Sequence, residues 1–467
     1  MPEFPPIQLS SWTGGRWTAL PVAPLPGFAI DSRALRPGEM FVALKTEKRD
    51  GHDYLVAAQA AGAGAALVAC ADPAVALPQL VVADPLAAFQ KIAREHRKMF
   101  PGPVVAVTGS AGKTSTKNLL ALLLAATEGD VLATEGNLNN HLGVPLTLTR
   151  LDPVRHRAAV VEAGVGAPGE MAPLAAMIRP DLALVTTVAP AHLAAFRSIE
   201  AIAREKAALP AAVGPGGAAI FPHGCARFTA FQGLLVDQIV LEPALLLRPV
   251  TSPGHTVHYN VIQRPTETIV LLAYGPPPPL MFRLRRVTDG MAQNAALALA
   301  AALRLGVSRE ALAARLARWV PAPLRGEWRR EEGKLFYLDC YNANPTSMAD
   351  ALTTFAAIAP SEEPRLYVLG GMEELGPDSA ALHRQLGRAL RLREGDRLFA
   401  IGGHADEVCA GVADQGGLAP HVRAVDSLEP IADALAAWQG AVFLKGSRRH
   451  RLETLLASAP EPALCAH

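Results

Sequence analysis

The stretch from Val104 to Ser115, VVAVTGSAGKTS, constrains this chain more than any other. Its apolar run suits a strand buried on both faces of a parallel sheet, and the Gly-rich turn leads straight into a helix. The glycines let backbone N–H groups converge on phosphate oxygens, and the helix N-terminus adds partial positive charge there. Lys113 can reach the outer phosphates and the Thr114 hydroxyl can ligate Mg²⁺. Thr108, Gly109, Ser110, Ala111, Gly112, Lys113, Thr114 and Ser115 are therefore the candidate phosphate loop. Val107 takes the place of the first glycine in the general G-x-x-x-x-G-K pattern, and the shortened loop points to a subset of ATP users.

A strand and helix of this kind need neighbours, and the chain supplies them by alternating strand and helix patterns, an α/β architecture. Its 467 residues suit about three domains. Residues 1–102 read as a small N-terminal α/β domain. Its strands are expected at Glu39–Leu44, Ala65–Ala69 and Gln79–Ala83, and its helices at Tyr54–Ala61 and Leu86–Met99. Phe100-Pro101-Gly102-Pro103 then breaks periodic structure. Residues 103–320 read as the central P-loop domain, a parallel sheet with further strands at Ala158–Val161 and Leu182–Val188. A β-rich excursion is expected between Phe228 and Val287, followed by a helix at Met291–Leu305. Past Pro321, residues 321–467 repeat strand then helix, with strands at Leu335–Asp339, Leu366–Leu369, Arg397–Ile401, His421–Val425 and Ala441–Leu444. This predicts a doubly wound, Rossmann-like C-terminal domain.

Lys+Arg 44 against Asp+Glu 43 leaves a net charge of +1, so no bulk field exists to hold a nucleic acid or an anionic membrane, and neither is an expected partner. The apolar stretch Leu119–Ala126 is too short to span a bilayer, and the first 27 residues lack the apolar core of a secretory leader. Cys70, Cys225, Cys340, Cys409 and Cys465 form no C-x-x-C pair, which suits a reducing, cytoplasmic setting. Glu162 and His192 follow strands of the P-loop domain on the sheet edge where ligands collect. By position alone, Glu162 reads equally as a metal ligand or a solvated strand end, and His192 as a structural histidine.

Together the phosphate loop, Glu162, Ala191-His192-Leu193 and Ile202-Ala-Arg-Glu-Lys206 resemble the ATPase domain of the Mur ligases. FAIDSR at Phe28–Arg33, Asp50-Gly51-His52, TEGNLNNHLGVP at Thr134–Pro145, YNANP at Tyr341–Pro345 and Lys445-Gly-Ser447-Arg448 are similar to the branch that joins D-alanyl-D-alanine to UDP-N-acetylmuramoyl-tripeptide. The resemblance spans all three domains. It implies that ATP activates a peptide carboxylate as an acyl phosphate, which the dipeptide amine then attacks. Lys113, His192 and Lys206 would be the catalytic residues. Thr114 and Glu162 would hold one Mg²⁺, and His192 and Lys206 a second, Lys206 only after carbamylation by CO₂, because an ammonium cannot ligate a cation. Asn294, Arg325, Asp339 and Asn342 would contact ATP. Ser32 and Arg33 would hold the UDP end, Asn137, Asn139 and Asn140 the sugar-peptide part, and Lys445 and Ser447 would complete the substrate set. By itself, the asparagine cluster reads as a turn and helix cap. A monomer is expected, with the domains closing over the ligands about joints near Pro101 and Pro321.

The chain departs from the family's usual residues in four places: Gln293 for histidine, Ala207-Ala208 for Gly-Glu, Gly371 for aspartate, and Glu327 for arginine. They keep two competing readings open, a ligase of other acceptor specificity and a nucleotide-binding module without turnover. The third residue of the tripeptide, diaminopimelate or lysine, is a matter of pocket shape.

Overall fold

The computed structural model describes residues 2–245, 247, 255–416 and 421–456; Cys465 lies outside them. Three sheets organise the described residues.

The first contains β1 (Arg16–Trp17), β2 (Phe28–Ala29), β3 (Met40–Val42), β4 (Ala65–Val68) and β5 (Gln79–Val81), in the order β1-β5-β4-β3-β2, with only β1 antiparallel. The helix Pro85–Lys98 follows, capped by Asp84, whose carboxylate accepts from the N–H groups of Leu86 (2.8 Å) and Ala87 (3.1 Å). Phe89 and Ile92 enter the first domain's core, whereas Ala93 and Phe100 join the central one. Arg97 donates to the Ile178 and Arg179 carbonyls, each at 3.0 Å, and pairs with Asp181 at 2.9 Å. These bonds stiffen the joint expected above to act as a hinge near Pro101.

The central sheet has nine strands: β6 (Val104–Thr108), β7 (Val131–Ala133), β8 (Ala158–Glu162), β9 (Leu182–Val185), β10 (Ala218–Pro222), β11 (Asp237–Pro243), β12 (His255–Gln263), β13 (Glu267–Leu272) and β14 (Leu280–Arg285). They lie in the order β14-β13-β12-β11-β10-β9-β6-β8-β7. The β-rich stretch is therefore no separate lobe. β11 and β12 continue the parallel ladder and β13 and β14 close it as an antiparallel meander. The reason is burial: Ile239, Leu241 and Val257 fill the same core as Val105 and Leu184. β6 sits between β8 and β9 with every residue buried, and the helix Lys113–Leu124 leaves its C-terminal end. The Ala-rich helix Asp289–Arg304 packs beside that helix, its small side chains permitting close approach.

The third sheet contains β15 (Glu327–Glu331), β16 (Lys334–Asp339), β17 (Arg365–Gly370), β18 (Arg397–Ile401), β19 (Val422–Val425) and β20 (Ala441–Lys445), in the order β15-β16-β20-β17-β18-β19. β16 to β20 are parallel, and β15 adds an antiparallel edge. Cores on both faces make it doubly wound: Tyr337, Phe355 and Phe443 fill one face, and Leu338, Ile431 and Trp438 the other.

Candidate active site

The C-terminal ends of β6, β8 and β9 face those of β16 and β20 across a cavity of about 890 Å³. The phosphate loop forms one wall, and its glycines are dictated by close approach. At Gly109 (φ 147°) a Cβ would lie 1.9 Å from Thr186 Oγ1, and at Gly112 (φ 77°) it would lie 2.2 Å from Asn294 Nδ2. Thr186 donates its hydroxyl to the Ala111 carbonyl at 2.5 Å. Ser110 N–H donates to the Thr187 carbonyl and Ser110 Oγ to the Ala189 carbonyl, at 2.9 and 2.8 Å. The loop is thus fastened to the chain leaving β9 before any ligand arrives.

Lys113 turns its ammonium back onto the Gly109 carbonyl at 2.9 Å. Burial lowers its pKa, Glu162 opposes that shift, and the positive charge of Arg325 adds to it from the third domain. Glu162 is 1% exposed. Its Oε1 accepts from Asn139 Nδ2 at 2.8 Å, and its backbone N–H donates to Thr134 Oγ1 at 3.0 Å, but Oε2 is buried without a partner. An unsatisfied carboxylate oxygen on the wall that also presents Thr114 fits a hard divalent cation. Among the described residues no three His, Cys, Asp or Glu side chains gather as a metal site, so phosphate oxygens would complete its sphere.

His192 adopts a left-handed backbone (φ 53°) at the start of the helix Leu193–Phe196. Its Nδ1 meets the carboxylate of Glu374 from the third domain. Lys206, on the helix Ile199–Ala211, is 4% exposed; burial first, and then the charge of Lys113, lower its pKa to about 7. It stands behind the cavity wall rather than on it. Its neighbour Glu205 accepts from the N–H groups of Gly169 (2.8 Å) and Met171 (2.6 Å), fixing the start of the helix Met171–Ile178.

On the opposite wall the Arg325 guanidinium lies 3.8 Å from the centre of the Tyr341 ring. Asp339 pairs with Lys445, which is 1% exposed and also reaches the Asn342 carbonyl at 3.3 Å. Asn342 Oδ1 accepts from Ala343 N–H, and Asn344 with Ser347 forms the capping box of the helix Pro345–Ile358. Asn294 is buried against Gly112. Gln293, in place of the usual histidine, donates to the Thr186 carbonyl at 3.3 Å and accepts from the Tyr259 hydroxyl at 3.2 Å.

All three asparagines line the cavity, but two of them also have partners within the chain. Asn139 holds Glu162, and Asn140 Oδ1 caps the N–H groups of Leu142 and Gly143. Ser32 and Arg33 lie outside the cavity on the first domain; the Arg33 side chain is 74% exposed and pairs with Asp31 at 2.6 Å. Ser447 also lies outside, its N–H donating to the Gly371 carbonyl at 3.2 Å. Sequence reasoning missed Thr186, Glu374, Asp350 and Lys117, a buried lysine bonded to the Thr134 carbonyl. Glu374 lies in a segment noticed only for Gly371; the others carry no local signal.

Three family patterns match the chain: Mur ligase family, catalytic domain at residues 26–97; Mur ligase middle domain at 107–238; and Mur ligase, glutamate ligase domain at 324–448. The UDP-N-acetylmuramoyl-tripeptide–D-alanyl-D-alanine ligase of Escherichia coli (strain K12) is 34% identical over 455 residues, covering 94% of this chain and 95% of that one. Its namesake from Haemophilus influenzae is 30% identical, with 93% of each covered. Among solved structures, MurF from Acinetobacter baumannii superposes with a TM-score of 0.84 at 29% identity, covering 98% of this chain and 99% of that one. MurF ligase from Thermotoga maritima in complex with ADP gives 0.76 at 26% identity, covering 92% and 96%.

Proposed function

Because this chain belongs to the Mur ligase family, we propose that it joins D-alanyl-D-alanine to UDP-N-acetylmuramoyl-tripeptide at the expense of ATP, the joining its full-length relatives are named for. The observation that carries this reading is the interdomain cavity, with the phosphate loop and Glu162 on one wall and Arg325 and Asp339 on the other.

Lys113 and the loop amides hold the outer phosphates of ATP, and Asn294 and Asp339 address the rest of the nucleotide. A peptide carboxylate oxygen bonds to the γ-phosphorus as the β,γ-bridging bond breaks, releasing ADP. The dipeptide amine then attacks the acyl carbon, expels phosphate and loses a proton, leaving an amide. Positioning and charge stabilisation do most of the catalytic work in such transfers. Thr114 and Glu162 would hold Mg²⁺, whose charge offsets the crowded phosphate oxygens. Glu374 orients His192 through Nδ1 and leaves Nε2 free, the arrangement of a carboxylate-supported metal ligand. That supports His192 as a second-site ligand; Lys206 would join it only once carbamylated. Burial keeps much of the Lys206 amine unprotonated near neutrality, the form that adds to CO₂: an N–C bond forms, a proton leaves, and a carbamate oxygen replaces the ammonium. Ser32, Arg33, Asn137 and Ser447 would serve the muramoyl substrate, Ser32 and Arg33 at its UDP end. A monomeric, cytoplasmic enzyme goes with this reading; among the described residues no helix is long and apolar enough to cross a membrane.

The test is phosphate release with MgATP, UDP-N-acetylmuramoyl-tripeptide and D-alanyl-D-alanine, omitting each in turn, for wild type and Lys113→Ala. Release requiring all three and lost in the variant is expected. Release that ignores the dipeptide would overturn the acceptor assignment, and ATP binding without release would favour a module that does not turn over.

A further inference from the structure

One contact between the central and third domains lies on the nucleotide-facing helix itself. Asp350, on the third-domain helix Pro345–Ile358, reaches the first turn of the central helix Asp289–Arg304. Its Oδ1 accepts from Asp289 N–H at 3.1 Å and its Oδ2 from Gly290 N–H at 2.9 Å. That helix already has its own cap, since Thr288 Oγ1 accepts from Met291 N–H at 3.1 Å. The Asp289 and Gly290 donors are therefore free to face the other domain. Gly290 is a steric requirement: a Cβ there would lie 2.6 Å from Asp350 Oδ2. Burial and the like charge of Asp289 raise the Asp350 pKa, and a hydrogen bond with the Thr288 side chain together with the Gly290 and Asp289 N–H groups opposes them.

One turn further along the same helix lie the residues that shape the loop. Gln293 holds the Thr186 carbonyl, Thr186 holds Ala111, and Asn294 fills the space that Gly112 leaves open. We propose that Asp350 is a positioning residue for ATP, seating the third domain on the helix that carries Gln293 and Asn294 and so coupling domain docking to the shape of the phosphate loop. It touches no reacting atom. Where binding needs the docked arrangement, apparent affinity falls with the fraction of molecules docked.

This rests on the ligase reading, and the test separates the two. Asp350→Asn keeps the size but turns an amide toward N–H donors; it should raise the KM for ATP about tenfold with kcat changed less than about twofold. Gly290→Ala is the second variant. By helix propensity alone, alanine in place of glycine would be neutral or stabilising; displacing Asp350, it should raise the KM for ATP by a similar factor. The double variant should be no worse than either single one, because both remove the same contact. Asp350→Glu should recover part of the affinity. Calorimetric titration with a non-hydrolysable ATP analogue should show the same losses without turnover, so an inactive wild type would sink the ligase reading and leave this one measurable. Unchanged analogue affinity in both single variants, or effects that multiply in the double variant, would overturn the role of Asp350.

Discussion

Replacing Lys206 with methionine should leave the protein more stable and unable to join its substrates. Burial draws the Lys206 ammonium from the ordinary lysine value of 10.5 down to about 7. The folded-state pKa is depressed, so between about 7 and 10.5 the unfolded chain binds a proton that the folded chain has largely given up, and stability rises with pH across that window. At pH 7.5 the penalty is about 1.4 kcal/mol for each of about three pH units, or about 4 kcal/mol; by pH 9.5 it shrinks to about 1–2 kcal/mol. Methionine keeps the length and the apolar stem, and repacking returns up to about 1.5 kcal/mol of the gain. The net expectation at pH 7.5 is a stabilisation of about 2–4 kcal/mol, or roughly 5–15 °C in the melting of a domain this size. Calorimetric melts of both proteins in CO₂-free buffer at pH 7.5 and 9.5 would check it, with the gap narrowing by about 2 kcal/mol at the higher pH. A variant that melts at or below wild type at pH 7.5, or a gap that does not narrow, would refute the argument that a buried lysine is retained at the expense of stability. With ¹³C-bicarbonate, a carbamate carbon resonance should appear in wild type and be absent from the variant.

Gly112→Ala combines a left-handed backbone, which costs about 1–2 kcal/mol, with displacement of Asn294, so ATP affinity measured by calorimetry should fall at least about tenfold. Glu162→Gln removes the carboxylate oxygen that lacks a partner; the Mg²⁺ concentration for half-maximal phosphate release should rise about tenfold or more, and an unchanged Mg²⁺ profile would discard Glu162 as a ligand. Arg33→Ala should raise the KM for UDP-N-acetylmuramoyl-tripeptide about tenfold and leave that for ATP unchanged, because Arg33 lies on the first domain outside the ATP cavity; equal effects on both would place it elsewhere in the mechanism.

Much of the scaffold was legible in the sequence because its signals are local. Apolar runs marked β6, β8, β9 and β16 to β20 to within a few residues, and Gly-Lys-Thr after β6 marked the phosphate loop. The short strands β1, β2 and β7 escaped notice, whereas β3 and β5, no longer than β7, were marked by apolar runs that extend past their ends. β15, Glu-Trp-Arg-Arg-Glu, is a polar edge that forms because β16 offers it a hydrogen-bonding partner. The β-rich stretch after Phe228 was recognisable by texture, but whether it stood apart or extended the main sheet depended on the open edge of β10.

Side-chain roles were less legible. Asn139 and Asn140 are adjacent and chemically identical, yet one supports Glu162 and the other caps a turn. Sequence alone determined where the backbone must turn, which strands are buried and which Gly-rich loop joins a buried strand to a helix, since sterics and periodicity act over a few neighbouring residues. Tertiary structure alone decided that Thr186 would fasten the loop, that Glu374 would meet His192, and that Asp350 would seat one domain on another. Those partners lie tens to hundreds of residues apart, and only the crossovers of the sheets and the docking of the domains bring their polar atoms within hydrogen-bonding range.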